Sequence, residues 1–412
     1  MKKLLIAAAI LPFLTGCFLI ENNTAILWTD IPEVAAYVEL FNASQTDYRV
    51  ELVYAENPAD YYALASDSAP DIVISEDLAS NSIIKAFNPL DKMIEDGLFD
   101  PSVFYPDLYS LGCREEIPYV LPVSFNIPAI MYKQDNLSEP FADIIISPEK
   151  LKTEAEIFNS RSSDKFRVKG FAPSWIPDFL LYNAFISGSD FTETADGSLI
   201  WNETNLQTSI DFCRDWTENI NGGFQEEDDF TLTYCYDPGY KLLNAERIGF
   251  YYTTLRDFSV IPAEDRANLD FKWLGDENKI PVCDDIVYAG IPSKSNKKKT
   301  AKQFLMWFMN SETQQNLLES SQFKRSRVFG ICGGLSSLQN VNELVMPEYH
   351  KILIGTVPPA GYLSFPASLP SYWKSARADV VIPWLQDQNM LEPEMESLTE
   401  MLKIWTLQEQ KK

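Results

Sequence analysis

A single histidine, His350, among 412 residues removes most metal-hydrolase and acyl-transfer chemistry at once. There is no HExxH, and no site can be built on two His ligands. A Ser-His-Asp relay would have to pass through His350, which sits in Glu348-Tyr349-His350-Lys351 beside no serine motif. No CxxC pair is present, so structural zinc and other metal sites are not expected, and neither is any cofactor. What the chain offers instead is aromatic surface and oxygen: 9 Trp, 19 Tyr and 59 Asp+Glu. Aromatic faces pack against flat C–H surfaces, while carboxylates and amides accept and donate to hydroxyls. Paired carboxylates could also serve glycosidic hydrolysis, but with 59 acids some pair is inevitable and no hydrolase motif stands beside one.

The net charge of −25 argues against nucleic acid as a partner. Hydrophobic residues at 46% and charged residues at 23% describe an ordinary globular chain, long enough for two or three lobes. Its first residues read differently. Lys2 and Lys3 precede an apolar run, Leu4 to Leu14, too short to span a bilayer. Leu14-Thr15-Gly16-Cys17 then resembles the bacterial lipobox, whose cysteine becomes acylated, palmitate being the expected chain. This implies a signal peptide over 1–16, lipid attachment at Cys17, a tether over 17–23 and an anchor on, not through, the membrane. Removing Lys2 and Lys3 takes the formal charge from −25 to −27. Cys113, Cys213, Cys235, Cys283 and Cys332 remain, an odd number that allows at most two disulfides, with no basis for a pairing.

Strand and helix alternate through the rest. Thr24–Thr29, Val50–Tyr54 and Ile72–Ser75 read as strands, with a helix after Pro32 carrying Val34, Val38 and Phe41. The pattern predicts an α/β fold with parallel strands and crossover helices. Further on, Ile130–Tyr132, Ile248–Tyr252, Asp270–Leu274 and Ile286–Ile291 read as strands, and Phe179–Ile186 as a buried helix. Leu206, Ile210, Cys213, Thr217 and Ile220 mark another helix, stopped by Gly222-Gly223. Ala301, Phe304, Leu305 and Phe308 form a helical stripe behind a solvated lysine run, Lys297 to Lys299. A capping box, Ser311 to Gln314, opens the next helix to about Glu319, and Leu391, Met395, Leu398, Leu402 and Trp405 share one face of the last.

The order of these pieces resembles the family 1 extracellular solute-binding proteins, the maltose-binding-protein-like receptors of ABC importers. Leu27-Trp28-Thr29-Asp30, Ala69-Pro70-Asp71-Ile72-Val73 and Asn88-Pro89-Leu90-Asp91 match its first strand, third strand and following turn. Ile117–Ser124 with Met131-Tyr132 matches its first interlobe crossing, and Gly290–Lys294, Ala301–Leu305 and Asn310–Gln314 its second crossing and helix pair. Two departures touch the ligand class: Leu243–Gly249 replaces the usual helix-to-strand element, and Tyr132-Lys133-Gln134-Asp135 replaces the usual turn after the tyrosine strand.

The resemblance implies a two-lobed periplasmic-binding-protein-like fold (type II), each lobe a mainly parallel sheet flanked by helices, joined by two or three crossing strands. Mapped on this chain, lobe one is 24–122 plus 278–312 and lobe two 123–277 plus 313–412. It implies a ligand held between the lobes, a carbohydrate before a polyol or polyamine, and delivery by a monomer to ABC permease subunits at a bacterial membrane, on its periplasmic face or at the cell surface. The expected contacts are Trp28, Asp30, Glu76, Asn126, Trp175, Tyr251 and Trp373. For Trp28, Asp30 and Glu76 the strand-end rule of open α/β sheets agrees. Asp30 could instead cap the helix after Pro32. The alternatives are a lipoprotein glycoside hydrolase or a ligand-free surface scaffold of the same fold.

Overall fold

The computed structural model describes residues 23–137, 143–390 and 396–409. Residues 1–22, with Lys2, Lys3 and Cys17, lie outside them, as do Leu391 and Met395. The main strands in chain order are β1 (Thr24–Thr29), β2 (Arg49–Tyr54), β3 (Ile72–Ser75), β4 (Val120–Phe125), β5 (Pro128–Lys133), β6 (Ile145–Ile146), β7 (Phe250–Thr254), β8 (Leu269–Leu274), β9 (Val287–Gly290) and β10 (Leu335–Ser336). The chain divides into two compact units, one running to Phe125 and again over Asp285–Val357, the other comprising Asn126–Asp284 and the chain from Pro358. It therefore passes from one to the other three times.

Three stretches fall in the other unit from the one the sequence suggests, the shortest being 123–125, which closes the first segment of the first unit. Residues 313–357 belong to the first unit. The helix Ser311–Phe323 is tied there by Gln314, which donates to the Phe308 carbonyl and accepts from the Ser336 hydroxyl. Behind it, β10 pairs with β4. Residues 278–284 belong to the second, where the Cys283 amide donates to the Asn126 carbonyl at 2.9 Å.

In the first unit the sheet order is β10-β4-β9-β3-β1-β2. β1 runs parallel to β2 and β3, whereas β9 is antiparallel to β3 and β4. Every residue of β3 is buried, as befits a central strand covered on both faces. Asp71, just before it, fixes the geometry. Its carboxylate accepts the Ile26 amide, the Ser295 hydroxyl and the Lys297 amide at 2.7–3.1 Å, pinning β1 to the start of the helix Lys298–Phe308. That helix buries the expected stripe, and Phe304 meets Phe41 of the helix Val34–Ser44 edge-on at 5.2 Å. The lysine run enters it with contacts: Lys298 donates to Asn88 and Lys299 lies over the Tyr48 ring. Asn310, not Ser311, caps the next helix, because its carboxamide reaches the Thr313 amide and places Ser311 inside the first turn. His350 accepts the Gly330 amide and packs at a tilt against Phe329.

In the second unit the order is β7-β5-β8-β6, and β7 and β8 are both antiparallel to β5. Within this sheet β6 and β8 pair in parallel and the other two pairings are antiparallel, so the sheet is mixed rather than mainly parallel. The short helices Leu255–Val260 and Ala263–Arg266 connect β7 to β8, which flank β5 on opposite sides. The helix Pro177–Ile186 is buried on nearly all sides, in a core with Phe171, Trp216 and Phe250. The helix Glu203–Asp215 ends through a π turn, Trp216–Ile220, at Gly222 and Gly223, whose φ angles of 82° and 93° favour glycine. The last helix begins at Leu398 and buries Leu398 and Leu402. All five described cysteines are free thiols.

Candidate ligand-binding site

Because Thr29 pairs with Ile74, the carboxyl ends of β1 and β3 emerge side by side. Trp28, Thr29 and Asp30 therefore lie beside Ser75, Glu76 and Asp77. Trp28 is half-buried, as are the three carboxylate residues. The Thr29 hydroxyl accepts the Ile31 amide at 3.1 Å and turns the chain away from the sheet. The helix starts only at Val34, with Glu33 at its cap position, so Asp30 is not its cap. Asp77 adopts φ 62°. Behind it the Tyr288 hydroxyl has its pKa pushed up by burial and by the Asp77 charge. Arg114 ties the loop after β3 by donating to the Ala79 carbonyl and to Asn81. An aromatic ring and three carboxylates on a fixed strand end can accept hydroxyl hydrogens and cover a flat apolar face.

The second unit gathers a different set. The Asp284 side chain, 3% exposed, accepts the Tyr182 hydroxyl and the Trp373 indole N–H, each at 2.6 Å. Arg377 pairs with it at 3.4 Å and with Asp178 at 2.8 Å. Burial alone would lower the Arg377 pKa, but the carboxylates of Asp284 and Asp178, with the neighbouring tyrosines, hold it above its ordinary value. Trp373 is 1% exposed, packs on Phe191, and is a core member of this cluster with no open face. Tyr182 stacks on Tyr252 at 6.1 Å. Tyr251, one residue earlier on β7, points to the other side of the sheet, where its ring lies against Gly239. The adjacent Tyr252, not Tyr251, thus joins the cluster. Asn126 is 1% exposed; its side-chain oxygen accepts the Ile127 and Arg256 amides, so it pins the start of β5.

Trp175 lies elsewhere in this unit, stacked on Phe230 at 5.8 Å. With Ser174, Asp228, Gln386 and Asn389 it lines a cavity of about 220 Å³. Beneath it is a buried polar chain with no counterpart in the sequence reading. Ser174 donates to Glu227, Asn221 donates to Glu227 at 2.7 Å, and Lys169 donates to the Asn221 carbonyl at 2.8 Å. Burial pushes Lys169 down to about 8 against the pull of Glu227, and burial raises Glu227. The Lys169 ammonium also sits 3.6 Å from the Phe166 ring centroid.

A family model, "Bacterial extracellular solute-binding protein", matches residues 28–315. The chain belongs to this family. No curated protein sequence matches it. Among solved structures it is similar to the sugar-binding protein MalE of the phytopathogen Xanthomonas citri, with 13% identity, 92% and 94% of the two chains covered and a TM-score of 0.67. It is also similar to a cyclo/maltodextrin-binding protein complexed with maltotetraose, with 14% identity, 94% and 97% covered and a TM-score of 0.64. A substrate-binding protein from Listeria monocytogenes in complex with cycloalternan gives 15% identity, 92% and 96% covered and a TM-score of 0.59. These likenesses establish the two-lobed solute-binding fold.

As a solute-binding protein, the chain carries expected residues in three settings. Trp28, Asp30 and Glu76 lie at the carboxyl ends of the paired strands β1 and β3; Trp373 and Asn126 are buried pins; Trp175 and Tyr251 face separate surroundings. Tyr182, Asp284 and Arg377, which organise the buried cluster, carry no sequence signal apart from the Asp284-Asp285 pair inside an apolar stretch. No helix among the described residues is long and apolar enough to cross a membrane.

Proposed function

We propose that the protein is an extracytoplasmic receptor that captures a neutral carbohydrate and passes it, chemically unchanged, to an ABC importer permease. The observation that supports this reading is the pairing of β1 with β3, which puts Trp28, Asp30, Glu76 and Asp77 at the carboxyl ends of neighbouring strands in a chain of the solute-binding family. Similar structures whose descriptions name maltotetraose and cycloalternan as ligands support a sugar over other solutes. In this reading Trp28, Asp30 and Glu76 touch the ligand, and Asn126 and Trp373 act by holding the backbone that carries other contacts. Trp175 and Tyr251 are secondary candidates. Capture works by population shift: a ligand that favours one conformation raises its share in proportion to its differential affinity. Cys17 carries the lipid, and residues 17–23 tether the protein to a bacterial membrane, where proximity raises the effective concentration at the permease.

Calorimetric titration of the mature chain with maltotetraose, mannotriose and spermidine tests the reading. Saturable binding of a neutral sugar is expected, with the sugar recovered intact by chromatography. Cleavage products would point to a hydrolase, and silence across all sugars with a response to spermidine would overturn the ligand class. Mass spectrometry of the N-terminal peptide tests acylation of Cys17.

A further inference from the structure

The second unit holds a larger groove, of about 1010 Å³, away from the Asp284 cluster's buried face. Its walls are the hairpin turn Asp196–Ile200, Trp201, Tyr372 and the last helix, Leu398–Glu409. Three aromatic rings, Trp201, Tyr372 and Trp405, line it, all half-buried. The polar ends of two are already committed within the protein. The Tyr372 hydroxyl donates to the Gly197 carbonyl at 3.1 Å, and the Trp405 indole N–H donates to Asp379 at 3.2 Å. Tyr372 and Trp405 sit 5.9 Å apart. The rings are thereby held in place, and what they offer the groove is their C–H and π surface.

The rim adds Ser198, Thr399 and Thr406 hydroxyls, and three carboxylates, Asp196, Glu203 and Glu409, against one amine, Lys403. Held aromatic walls with hydroxyl and carboxylate partners match the two-sided chemistry of a sugar chain. The acidic excess disfavours uronic acids and sugar phosphates. At the top of the roughly 300–1,000 Å³ range of small-molecule sites, the volume suits several linked rings rather than one. The groove also borders the buried Asp284 cluster. Phe191 packs on Trp201 at 5.7 Å and on Trp373 at 5.5 Å, and Tyr372 precedes Trp373 in the chain.

We propose that this groove is a second carbohydrate site, one that takes a neutral oligosaccharide along Trp201, Tyr372 and Trp405. It rests on the carbohydrate reading above but on none of the strand-end residues. Fluorine NMR of the mature chain labelled with 5-fluorotryptophan, assigned by single Trp→Phe variants, tests the two sites separately. Maltotetraose, mannotriose and digalacturonate are the probes. The Trp201 and Trp405 signals are expected to move with both neutral sugars and not with digalacturonate. Trp405→Ala should weaken that response about tenfold, the loss of one stacking face, while leaving the Trp28 response unchanged. Ile200→Lys, at a half-exposed wall position, should block the groove without touching the helix. Movement of Trp28 alone overturns the groove and keeps the carbohydrate reading. Movement of Trp201 and Trp405 with Trp28 silent keeps the groove and overturns the strand-end site. If no signal moves, both fail, and an equal response to digalacturonate overturns the neutral-ligand assignment.

Discussion

Replacing Asp284 with alanine removes one carboxylate and leaves two buried groups and one partly exposed guanidinium short of a partner. Tyr182 and Trp373 each lose a 2.6 Å acceptor, and Arg377 loses one of its two counter-charges. Breaking one side of a buried charged network costs about 3–5 kcal/mol. The orphaned hydroxyl and indole N–H would separately cost about 1–3 kcal/mol each, but these overlap with the same lost group and do not add in full. Arg377 keeps Asp178 at 2.8 Å, which holds the total to about 4 kcal/mol. Asp284→Asn retains one acceptor oxygen and should lose about half, ~2 kcal/mol. At about 2–4 °C per kcal/mol for a unit of this size, alanine should lower the melting of the second unit by roughly 8–16 °C. Urea unfolding followed by near-UV circular dichroism gives the energies, since the cluster is aromatic. The decisive comparison is the double variant with Arg377→Met. If Asp284 and Arg377 act as one network, the double variant is less destabilised than the sum of the singles by about 1.5–3 kcal/mol. Additive losses, or a loss below about 1 kcal/mol for Asp284→Ala, would refute the argument that this carboxylate organises the cluster.

At the strand ends proposed to face the ligand, Asp30→Asn and Glu76→Gln should each weaken maltotetraose binding about tenfold by calorimetry, the loss of one charge-assisted hydrogen bond, with unchanged melting. Asp71→Ala should destabilise the first unit by about 3 kcal/mol, because three donors lose their common acceptor; urea midpoints measure it. Lys169 makes stability depend on alkaline pH. Its folded pKa, about 8, lies below the ordinary 10.5, so the unfolded state binds more protons between them. Stability should therefore rise from pH 8 towards 10.5 in the wild type, by up to about 3 kcal/mol, and this rise should vanish in Lys169→Met. Glu227 acts with the opposite sign: burial raises its pKa, so the stability its protonated form contributes is full below the ordinary carboxyl range and lost as pH rises through the raised value. Finally, the unreduced mature chain should take up label on five thiols in denaturant, with Cys17 blocked by acylation; fewer would reveal a disulfide.

Local pattern was enough to read the strand–helix order, the buried stripe Ala301–Phe308 and the position of Trp28, Asp30 and Glu76 at the ends of β1 and β3. Each depends on residues within a few positions of one another, where the periodicity of side chains and the steric rules of proline and glycine act directly. A residue at the end of a strand in an open sheet is placed once the strand is placed. The face of Tyr251 against that of Tyr252, the inward turn of Trp373 and the Asp284 cluster needed the tertiary structure. Asp178, Tyr182, Tyr252, Asp284, Trp373 and Arg377 come from positions up to 199 residues apart. Their meeting depends on how β7 registers against β5 and on how separate helices pack, and a one-residue slip would exchange Tyr251 for Tyr252. The membership of residues 313–357 followed the same rule: a helix whose apolar face is legible in sequence does not name the surface that will cover it, and here Gln314, Ser336 and the edge of β4 made that choice.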